Sequence, residues 1–502
     1  MFDTVLVANR GEIALRVIRG CHEMGVRAVA VYSEADRDAP HVRAADAAVC
    51  IGPPPSSQSY LLGDRIIEAA LATGAQAIHP GYGFLSEREW FARAVRDAGL
   101  VFIGPPAEAI AAMGSKTAAR QLAVANGVPV VPGTTEAIPD AATARELAEQ
   151  YRYPVLLKAA AGGGGKGMRV VREASELESS FDSARREALN AFGDDAVYLE
   201  KYIEGPRHVE IQVLGDMHGH MIHLGERECS VQRRHQKMIE EAPSVAVSPE
   251  LRARMGETAV RGALAAGYYN AGTCEFLLDK DGAFYFLEMN TRLQVEHPVT
   301  ELVTGVDLVQ WQLRIASGEH LTIAQQSIAP HGWAMECRIT SEDPANGFLP
   351  STGRVEFLQI PSGPGVRWDG GIAAGSDVTL HYDPMLAKLI VHAPTRELAI
   401  ERMHRALTEL VVTGIDTARD FHLRVMEDPE FRRGDIEIQW LERRLDSLVH
   451  APEPPEGLQL AALAGALLAH AERRAPASAP SVAMPAAAPS AWQRAGRLDS
   501  LR

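Results

Sequence analysis

The fold of this chain is specified most sharply by FLEMNTRLQVEHPVTE, residues 286–301. Its first residues are typical of a strand, in which alternate side chains share a face, so Glu288 and Asn290 lie on one side. The apolar strand Cys274 to Leu278 precedes it, across the polar turn DKDG of residues 279–282. Two apolar runs joined by a short turn that ends in glycine predict a β-hairpin.

Antiparallel pairing of the second strand, Ala283 to Asn290, with the first brings Glu275 near Glu288. Two carboxylates and an amide oxygen on one face suit a hard cation such as Mg²⁺, which would bridge ATP phosphates. A solvated strand face is the other interpretation, because alternating acidic residues are usually exposed. The hairpin alone leaves both interpretations open.

The loop after this hairpin, TRLQVEHP of residues 291–298, carries a guanidinium, an amide and a carboxylate beside the predicted metal. Arg292 can hold a small planar anion in a bidentate grip. Glu296 beside such cations is expected to be ionised and able to accept a proton. His297, which precedes a proline, is assigned a structural role.

A glycine-rich stretch, AAAGGGGKGM of residues 159–168, lies between the predicted strands Pro154 to Lys158 and Arg169 to Val171. Four consecutive glycines let backbone N–H groups approach an anion closely. The spacing is not that of a Walker loop, because no Ser or Thr follows Lys166 and a strand follows instead of a helix. Such a hairpin can close over nucleotide phosphates as a lid, or it can be a flexible surface hairpin.

A basic run, VQRRHQK of residues 231–237, is the remaining polar motif. It is isolated and lacks the interleaved aromatic residues of nucleic-acid-binding surfaces. The whole chain carries a formal net charge of −15, and an acidic surface repels phosphate backbones. We therefore predict no nucleic-acid partner, and we interpret the run as part of a phosphate or carbonate pocket.

The N-terminal region alternates short apolar strands with helices. Val5 to Ala8 form an apolar run, as in a buried strand. Apolar residues then recur at helical spacing from Ile13 to Cys21, and a second strand follows. This alternation predicts an α/β protein (α+β overall) with a parallel sheet covered by helices. The expected domains are residues 1–115, residues 116–330 with a lid at about 130–204, residues 331–447, and an Ala/Pro-rich linker at 448–502 that begins a further domain.

Composition predicts a soluble, cytoplasmic protein. Hydrophobic residues make up 46% of the 502 residues and charged residues 23%, which is typical of globular proteins. The five cysteines are far apart and lack CxxC spacing, which indicates reduced thiols. The N-terminus meets charge too early for a signal peptide, and the apolar run Leu458 to Ala471 is too short to span a bilayer, so we predict an amphipathic helix there.

Taken together, these motifs resemble those of the biotin carboxylase family in the ATP-grasp superfamily. The matching stretches run in family order from about Leu6 to Glu442. They are VANRGEIALRVIR, AIHPGYGFLSE, FIGPP, MGSK, GGGGKGM, EKYIEGPRHVEIQV, ECSVQRRHQKMIEEAP, AGTCEFLL, FLEMNTRLQVEHPVTE, AMECRITSEDP, FLPSTG and YDPMLAKLI. The resemblance implies an ATP-grasp fold with an N-terminal Rossmann-like domain, a glycine-rich lid and a C-terminal biotin carboxylase domain.

The resemblance also implies a role for each matching position. The implied nucleotide-binding residues are Lys116, Lys158, Gly164, Gly165, Glu200, Lys201, Ile203, His208, Gln232, His235 and Leu277. The implied ligands of Mg²⁺ or Mn²⁺ are Glu275, Glu288 and Asn290. The implied bicarbonate and biotin positions are Lys237, Arg292, Gln294, Val295 and Arg338. Four residues are implied to be catalytic: Lys237, Arg292, Glu296 as the base that deprotonates bicarbonate, and Arg338 as the residue that stabilises deprotonated biotin.

The implied reaction has two stages. Bicarbonate, deprotonated by Glu296, attacks the γ-phosphoryl group of ATP to give carboxyphosphate and ADP. Carboxyphosphate then breaks down to CO₂ and phosphate, the phosphate takes the N1′ proton of biotin, and the biotin enolate paired with Arg338 attacks CO₂. Charge neutralisation around crowded anions explains the mixture of metal, lysine and arginine.

The resemblance further implies partners. No AMKM-type stretch for a biotinyl lysine is present, so biotin is expected on a separate carrier domain or chain, with a carboxyltransferase subunit as a further partner. The chain is expected to be a truncated α subunit or a short natural variant of an acyl-CoA carboxylase. Family members often pair through the surface helix of the first domain, which here carries Arg16, Arg19 and Glu23, so we expect a homodimer or a larger hetero-oligomer.

Two other functions compete with this interpretation. One is a different ATP-grasp ligase that makes an amide bond through an acyl-phosphate, which the RRHQK and RLQVEHP stretches disfavour. The other is a catalytically silent scaffold subunit, which the intact set of charged motif residues disfavours. The final acceptor of the carboxyl group is not encoded in these motifs.

Overall fold

The N-terminal region forms one parallel sheet. In the computed structural model, its strands are β1 (Thr4–Val7), β2 (Arg27–Ser33), β3 (Ala47–Gly52), β4 (Ala77–His79) and β5 (Val101–Phe102). Its helices are α1 (Gly11–Glu23), α2 (Pro40–Ala44), α3 (Gly63–Ala72), α4 (Glu89–Asp97) and α5 (Ala107–Gly114). The strand order β3-β2-β1-β4-β5 is that of a doubly wound sheet, which confirms the predicted Rossmann-like architecture.

The structure describes most of the chain: residues 1–134, 136–159, 168–192, 195–450, 457, 460–461 and 463–468. The central part of the glycine-rich stretch therefore lies outside the described residues. The chain divides into two units, residues 1–449 and residues 450–502. In the second unit, the described residues within the predicted helix from Leu458 to Ala471 are helical.

A small three-stranded sheet flanks the glycine-rich stretch. Its elements, with the helix that leads into the region, are α6 (Lys116–Ala125), α7 (Ala141–Tyr151), β6 (Val155–Ala159), β7 (Met168–Val171), α8 (Leu177–Phe192) and β8 (Val197–Lys201). The strands lie in the order β7-β6-β8, and both pairings are antiparallel. The predicted strand–glycine–strand arrangement is thus confirmed at its two strands.

The elements that carry most of the polar motifs follow next. They are β9 (Arg207–Gly215), β10 (Met221–Arg233), β11 (Gln236–Ala242), α9 (Pro249–Ala265), β12 (Asn270–Leu278), β13 (Phe284–Asn290), α10 (His297–Thr304) and α11 (Leu308–Ala316). The predicted hairpin is β12–β13, and its register places Glu275 opposite Glu288. Directly opposed residues of an antiparallel pair share a face, so this prediction is confirmed.

The C-terminal part of the first unit adds nine strands and four α-helices. They are β14 (Trp333–Thr340), β15 (Glu342–Asp343), β16 (Leu349–Pro350), β17 (Gly353–Arg354), β18 (Phe357–Gln359), β19 (Val366–Gly370), β20 (Asp377–Val378), β21 (Met385–Ala393), α12 (Arg396–Glu409), β22 (Val411–Thr413), α13 (Arg419–Glu427), α14 (Pro429–Arg433) and α15 (Trp440–Val449). Strands β14, β21 and β19 continue the large sheet, whose full order is β13-β12-β9-β10-β11-β14-β21-β19. One eight-stranded sheet therefore carries strands from both sides of residue 330.

Helix α1 is less exposed than expected. Arg16, which we expected on a surface helix available for pairing, is 7% exposed and forms ion pairs with Glu301 and Asp307 at 2.8 Å. The reason is that α1 packs against α11 and against β19, so one face of the helix is covered within the chain. Arg19 remains exposed. Among the described residues, no helix combines the length and the apolar character needed to span a bilayer.

Candidate active site

The β10–β11 hairpin positions the basic run on the large sheet. Its two turn residues, Arg234 and His235, have φ values of 50° and 66°, and two successive positive φ values are typical of a type I′ hairpin turn. The register pairs Gln232 with Lys237 across the turn. His235 is exposed at the tip of the hairpin, whereas the side chain of Lys237 lies against Glu210 on the large sheet.

Lys237 lies at the centre of a cluster of buried carboxylates. Its Nζ donates to Oε2 of Glu210 at 2.6 Å, to Oε1 of Glu275 at 2.8 Å and to Oε1 of Glu296 at 2.7 Å. Oε1 of Gln294 lies 3.3 Å from the same nitrogen. These residues come from β9, β12 and the loop after β13, so one ammonium group joins three separate segments.

The charges in this cluster stabilise one another. Burial alone would lower the pKa of Lys237, but its three carboxylate neighbours raise that pKa well above its ordinary value. Burial would raise the pKa of Glu296, but Lys237 and Arg338 hold it well below its ordinary value. Burial likewise opposes ionisation of Glu275, and the attraction of Lys237 and His208 outweighs it. The lysine and both carboxylates are therefore charged at neutral pH.

Arg338, on β14, connects Glu296 to a further carboxylate. Its Nε donates to Oε1 of Glu240 at 2.6 Å, and its Nη2 donates to Oε2 of Glu296 at 3.0 Å. Burial raises the pKa of Glu240 to about 7, even though Arg338 opposes this shift. Burial would lower the pKa of Arg338, but the two carboxylates raise it. Arg338 is thus a fixed positive charge whose side chain remains 18% exposed.

The predicted metal ligands lie beside this cluster. Asn290 donates through Nδ2 to Oε1 of Glu275 at 2.8 Å, and Nε2 of His208 lies 2.9 Å from Oε2 of Glu275. One donor atom each from His208, Glu210 and Glu275 lie within 4.8 Å of one another. Carboxylate and amide oxygens are the ligands that Mg²⁺ prefers, and Glu275 is held ionised. The side chains of Glu275 and Asn290 therefore fit a hard divalent cation.

Arg292 is held by a residue of the N-terminal region. Its Nε donates to Oε2 of Glu87 at 2.9 Å, and its Nη2 donates to Oδ1 of Asn290 at 3.0 Å. The backbone N–H of Thr291 also donates to Glu87, at 3.1 Å. Lys237, Glu275, Asn290 and Arg292 therefore form a continuous chain of contacts, and Glu288 shares the face of Glu275.

The predicted nucleotide residues fall into two groups. On the small sheet, the ammonium of Lys158 donates to Glu200, and Lys201 donates to the backbone carbonyl groups of Arg152 and Tyr153. On the large sheet, Nε2 of Gln232 lies 2.6 Å from Nδ1 of His208, and Leu277 pairs with His208 in register. Ile203 lies in the segment between β8 and β9 and is buried. Gly164, Gly165 and the side chain of Lys116 lie outside the described residues.

Four charged residues in and around the cluster were not predicted from the sequence: Glu87, Glu210, Arg227 and Glu240. Arg227 is fully buried, and its guanidinium contacts Glu210 at 2.5 Å. The sequence HVEIQV of residues 208–213 does contain a signal for Glu210, because a period of two places it on the face of His208. The other three are identified only by pairing between distant segments.

Three family models match this chain along most of its length. The biotin carboxylase N-terminal domain matches residues 1–110, the ATP binding domain of the carbamoyl-phosphate synthase L chain matches residues 115–324, and the biotin carboxylase C-terminal domain matches residues 336–443. The biotin carboxylase of Nostoc sp. is 52% identical over 441 residues, which cover 88% of this chain and 99% of the relative. The chain belongs to the biotin carboxylase family. Its predicted fold and family resemblance are thereby confirmed.

Further relatives of this biotin carboxylase family member carry other names. The mitochondrial methylcrotonoyl-CoA carboxylase subunit alpha of mouse is 50% identical over 91% of this chain, which spans 64% of that subunit. A crystal structure of the biotin carboxylase domain dimer of Hydrogenobacter thermophilus 2-oxoglutarate carboxylase, in complex with MgADP, ADP and bicarbonate, matches with a TM-score of 0.82. That match has 48% identity and covers 90% of this chain and all of that chain.

The site of this biotin carboxylase is assembled from all three matched regions. Glu87 lies in the region of the N-terminal domain model, Lys237 and Glu296 lie in that of the ATP-binding model, and Arg338 lies in that of the C-terminal model. Because β11 pairs with β14 in one sheet, Glu240 and Arg338 lie on adjacent strands. The geometry of the site thus depends on the pairing of those strands.

Proposed function

We propose that this biotin carboxylase uses ATP and bicarbonate to carboxylate N1′ of biotin, the first half-reaction of a biotin-dependent carboxylase. The observation that carries the proposal is the buried carboxylate of Glu296, bonded on one side to Lys237 and on the other to Arg338. A base held between two cations is suited to a reaction in which several anions meet, because fixed positive charge stabilises the charge that develops.

The nucleotide is assigned to the two sheets that carry its predicted residues. The assigned side chains and backbone positions are Lys116, Lys158, Gly164, Gly165, Glu200, Lys201, Ile203, His208, Gln232, His235 and Leu277. Lys158 supplies a positive charge whose partner Glu200 also lies near Arg120. An incoming phosphate competes with Glu200 for Lys158, so nucleotide binding is expected to break this ion pair.

Glu275, Glu288 and Asn290 are assigned as the residues that hold Mg²⁺ or Mn²⁺. Such an ion, when bound, neutralises charge on the ATP phosphates during phosphoryl transfer. Glu275 is already ionised because Lys237 and His208 lie against it. The carboxylate therefore requires no proton release before it can act as a ligand.

Bicarbonate is assigned to the pocket of Lys237, Arg292, Gln294 and Val295. In the substrate-free arrangement Glu296 is a weak base, because Lys237 and Arg338 hold its pKa low. A bound anion that accepts hydrogen bonds from Lys237 and Arg338 partly neutralises their charge, so the two cations stabilise the ionised form of Glu296 less. Binding of bicarbonate is therefore expected to raise the pKa of Glu296 and to prepare it to remove the substrate's proton.

Biotin is assigned to the exposed edge of Arg338. The guanidinium is fixed by Glu240 through Nε, so it keeps its orientation when the contact with Glu296 is exchanged for a substrate oxygen. Negative charge that develops on the ureido oxygen of biotin is then stabilised by a preorganised cation. The phosphate released from carboxyphosphate accepts the N1′ proton, and CO₂ accepts the electron pair of the enolate.

A direct assay tests the proposal. The full chain is incubated with MgATP, radiolabelled bicarbonate and free biotin, and both ADP and acid-labile carboxybiotin are measured. The expected result is ADP formation that depends on bicarbonate, with label transferred to biotin. ADP formation that requires an amine acceptor, without label in biotin, would instead indicate an amide-forming ATP-grasp ligase. Absence of ATP cleavage under all conditions would indicate a scaffold subunit.

We also propose the setting in which the reaction takes place. Biotin is expected on a carrier domain, and a carboxyltransferase subunit is expected to consume the carboxylated product. A homodimer is the proposed assembly, with Arg19 and Glu23 on α1 in its pairing surface, and a larger hetero-oligomer is compatible with it. The free state of all five cysteines supports a cytoplasmic location. Sedimentation of the Arg19→Glu variant as a monomer would support the assigned pairing surface.

A further inference from the structure

Lys388, on β21, is a fully buried lysine that has no role in the site described above. Its side chain is 0% exposed, and its Nζ donates to the backbone carbonyl of Val295 at 2.8 Å. The same nitrogen lies 3.1 Å from Oε2 of Glu12 and 4.0 Å from Oδ2 of Asp369. These three partners belong to the loop after β13, to α1 and to β19.

A buried ammonium group is expensive for a fold. Removing such a charge from water costs several kcal/mol, and a nearby carboxylate offsets this only in part. An apolar side chain of similar volume would fill the space at Lys388 without that cost. In the part of the chain that the structure describes, the uncharged acceptor of Lys388 is the carbonyl of Val295, next to the base Glu296. A lysine at this position therefore indicates that its ammonium group serves to fix the position of the Val295 carbonyl.

The anchored carbonyl fixes the backbone from which Glu296 extends. A peptide unit is planar, so holding the oxygen of Val295 sets the orientation of the whole Val295–Glu296 unit. The carboxylate of Glu296 must reach both Lys237 and Arg338, at 2.7 Å and 3.0 Å. A displacement of about 1 Å in such a site can reduce the rate about 100-fold.

The anchor itself stands on a tightly packed seam. A Cβ added to Gly371, the residue after β19, would lie 2.7 Å from the backbone nitrogen of Glu12, so the end of β19 and the start of α1 approach each other with no space for a side chain. Asp369 is further fixed by Arg367, whose Nη1 donates to Glu301 on α10. Lys388 is thus held between segments that are packed against one another and joined by ion pairs.

We propose that Lys388 is a positioning residue for the bicarbonate step, acting through its hydrogen bond to the carbonyl of Val295. The inference rests on the proposed function of Glu296 and of the loop at residues 291–296. Among the described residues, the polar contacts of Lys388 involve Val295, Glu12 and Asp369 and no predicted nucleotide residue, so its effect should fall on bicarbonate and on turnover while leaving nucleotide binding unchanged.

The test compares Lys388→Met with Arg396→Met in the full chain. Arg396 is also a buried cation, paired with Glu241 and with the carbonyl groups of Phe431 and Arg432, and it has no contact with the loop at residues 291–296. Steady-state ADP formation is measured as bicarbonate and ATP are varied separately. For Lys388→Met we expect the KM for bicarbonate to rise about tenfold and kcat to fall about tenfold. The KM for ATP should stay within twofold of the wild-type value. Lys388→Arg should restore most of the loss.

Several outcomes would overturn the inference. They are unchanged bicarbonate kinetics in folded Lys388→Met, parallel changes in both KM values, or the same pattern in Arg396→Met. If Lys388→Met does not fold, Glu12→Gln assayed at pH 8 decides, because Glu12 is ionised above its raised pKa of about 7 and the variant then removes the counter-charge of Lys388. A rise of about threefold in the KM for bicarbonate alone supports the inference, and unchanged kinetics contradict it. A wild-type protein without bicarbonate-dependent ADP formation would instead contradict the proposed function.

Discussion

Glu87 and Arg292 form an ion pair of 2.9 Å that joins the N-terminal region to the loop after β13. The same carboxylate accepts a hydrogen bond from the backbone of Thr291. Glu87 thus holds both the backbone and the side chain at the start of the loop that carries Glu296. The N-terminal region contributes to the site through this contact, although none of its residues was among the predicted site residues.

Glu87→Gln should weaken bicarbonate binding. The variant removes the charge that orients Arg292, and because Glu87 is 39% exposed we expect a loss of about 1 kcal/mol, or about fivefold in the KM for bicarbonate. The KM for ATP should stay within twofold. Glu89→Gln is the matched control, since it breaks only the exposed pair with Arg93. Equal effects of the two variants would contradict the assigned role of Glu87.

Glu296→Gln should abolish most turnover without unfolding the protein. An amide of nearly the same shape can accept from only one of Lys237 and Arg338, which bond to different oxygens of Glu296. It cannot accept a proton from bicarbonate, so kcat should fall at least about 100-fold. Circular dichroism and binding of a fluorescent nucleotide serve as controls for folding. Retention of more than a tenth of wild-type turnover would exclude Glu296 as the base.

Arg338→Lys should separate ATP cleavage from biotin carboxylation. Lysine keeps the positive charge but loses the planar fork that joins Glu240 and Glu296, so carboxybiotin formation should fall about 100-fold. ADP formation at saturating bicarbonate should fall less, which lowers the ratio of carboxybiotin to ADP. Arg396→Lys changes a similar buried fork on Glu241 and should leave that ratio unchanged. An unaltered ratio in Arg338→Lys would contradict a role with biotin.

Local patterns were sufficient to predict the central hairpin. The polar turn at residues 279–282 predicted that Glu275 lies near Glu288, and the register of β12 and β13 confirms it. The pairing depends on a register shift between Glu275 and Phe276, which the period of two does not predict. The first strand and helix were also predicted, because Val5 to Ala8 and the apolar positions after it show their periods within a few residues.

Long-range pairing explains what the sequence did not reveal. Glu87 and Arg292 are 205 residues apart, and Glu240 and Arg338 are 98 apart, so no local period connects them. The pairing of β11 with β14, which sets the distance from Arg338 to Glu296, is likewise invisible in either strand alone. Residue identities at the site were predicted through family resemblance, whereas the residues that hold them in place required the tertiary structure.

Glu275→Gln should raise the requirement for Mg²⁺. Replacing the ionised carboxylate by an amide removes a charged ligand, so the free Mg²⁺ concentration for half-maximal ADP formation should rise about tenfold at constant ATP. Glu336→Gln is a suitable control, because burial raises the pKa of Glu336 well above its ordinary value and so disfavours the charged form that a metal ligand requires. A similar Mg²⁺ requirement in Glu275→Gln and wild type would exclude Glu275 as a ligand.

Glu12→Gln should alter the dependence of stability on pH. Burial raises the pKa of Glu12 to about 7 from an ordinary value of 4.5, so the folded state favours the protonated form. The stability that protonated Glu12 contributes to the folded state is therefore fully present below pH 4.5, and it is lost as the pH rises through 7. Because the amide in Glu12→Gln cannot ionise, the variant does not lose stability over this range. The difference between its free energy of unfolding and that of wild type should therefore increase by about 3 kcal/mol between pH 4.5 and 8.

Urea unfolding at several pH values measures this difference, and Glu34→Gln, at an exposed site, should give a constant difference across the same range. Any offset that stays constant with pH reports the other effects of exchanging a carboxyl group for an amide, because the ion pair with Lys388 forms only on ionised Glu12 and is already part of its pKa. A difference that stays flat, or that decreases with pH, would mean that Glu12 is ionised in the folded protein throughout this range and that Lys388 outweighs the effect of burial.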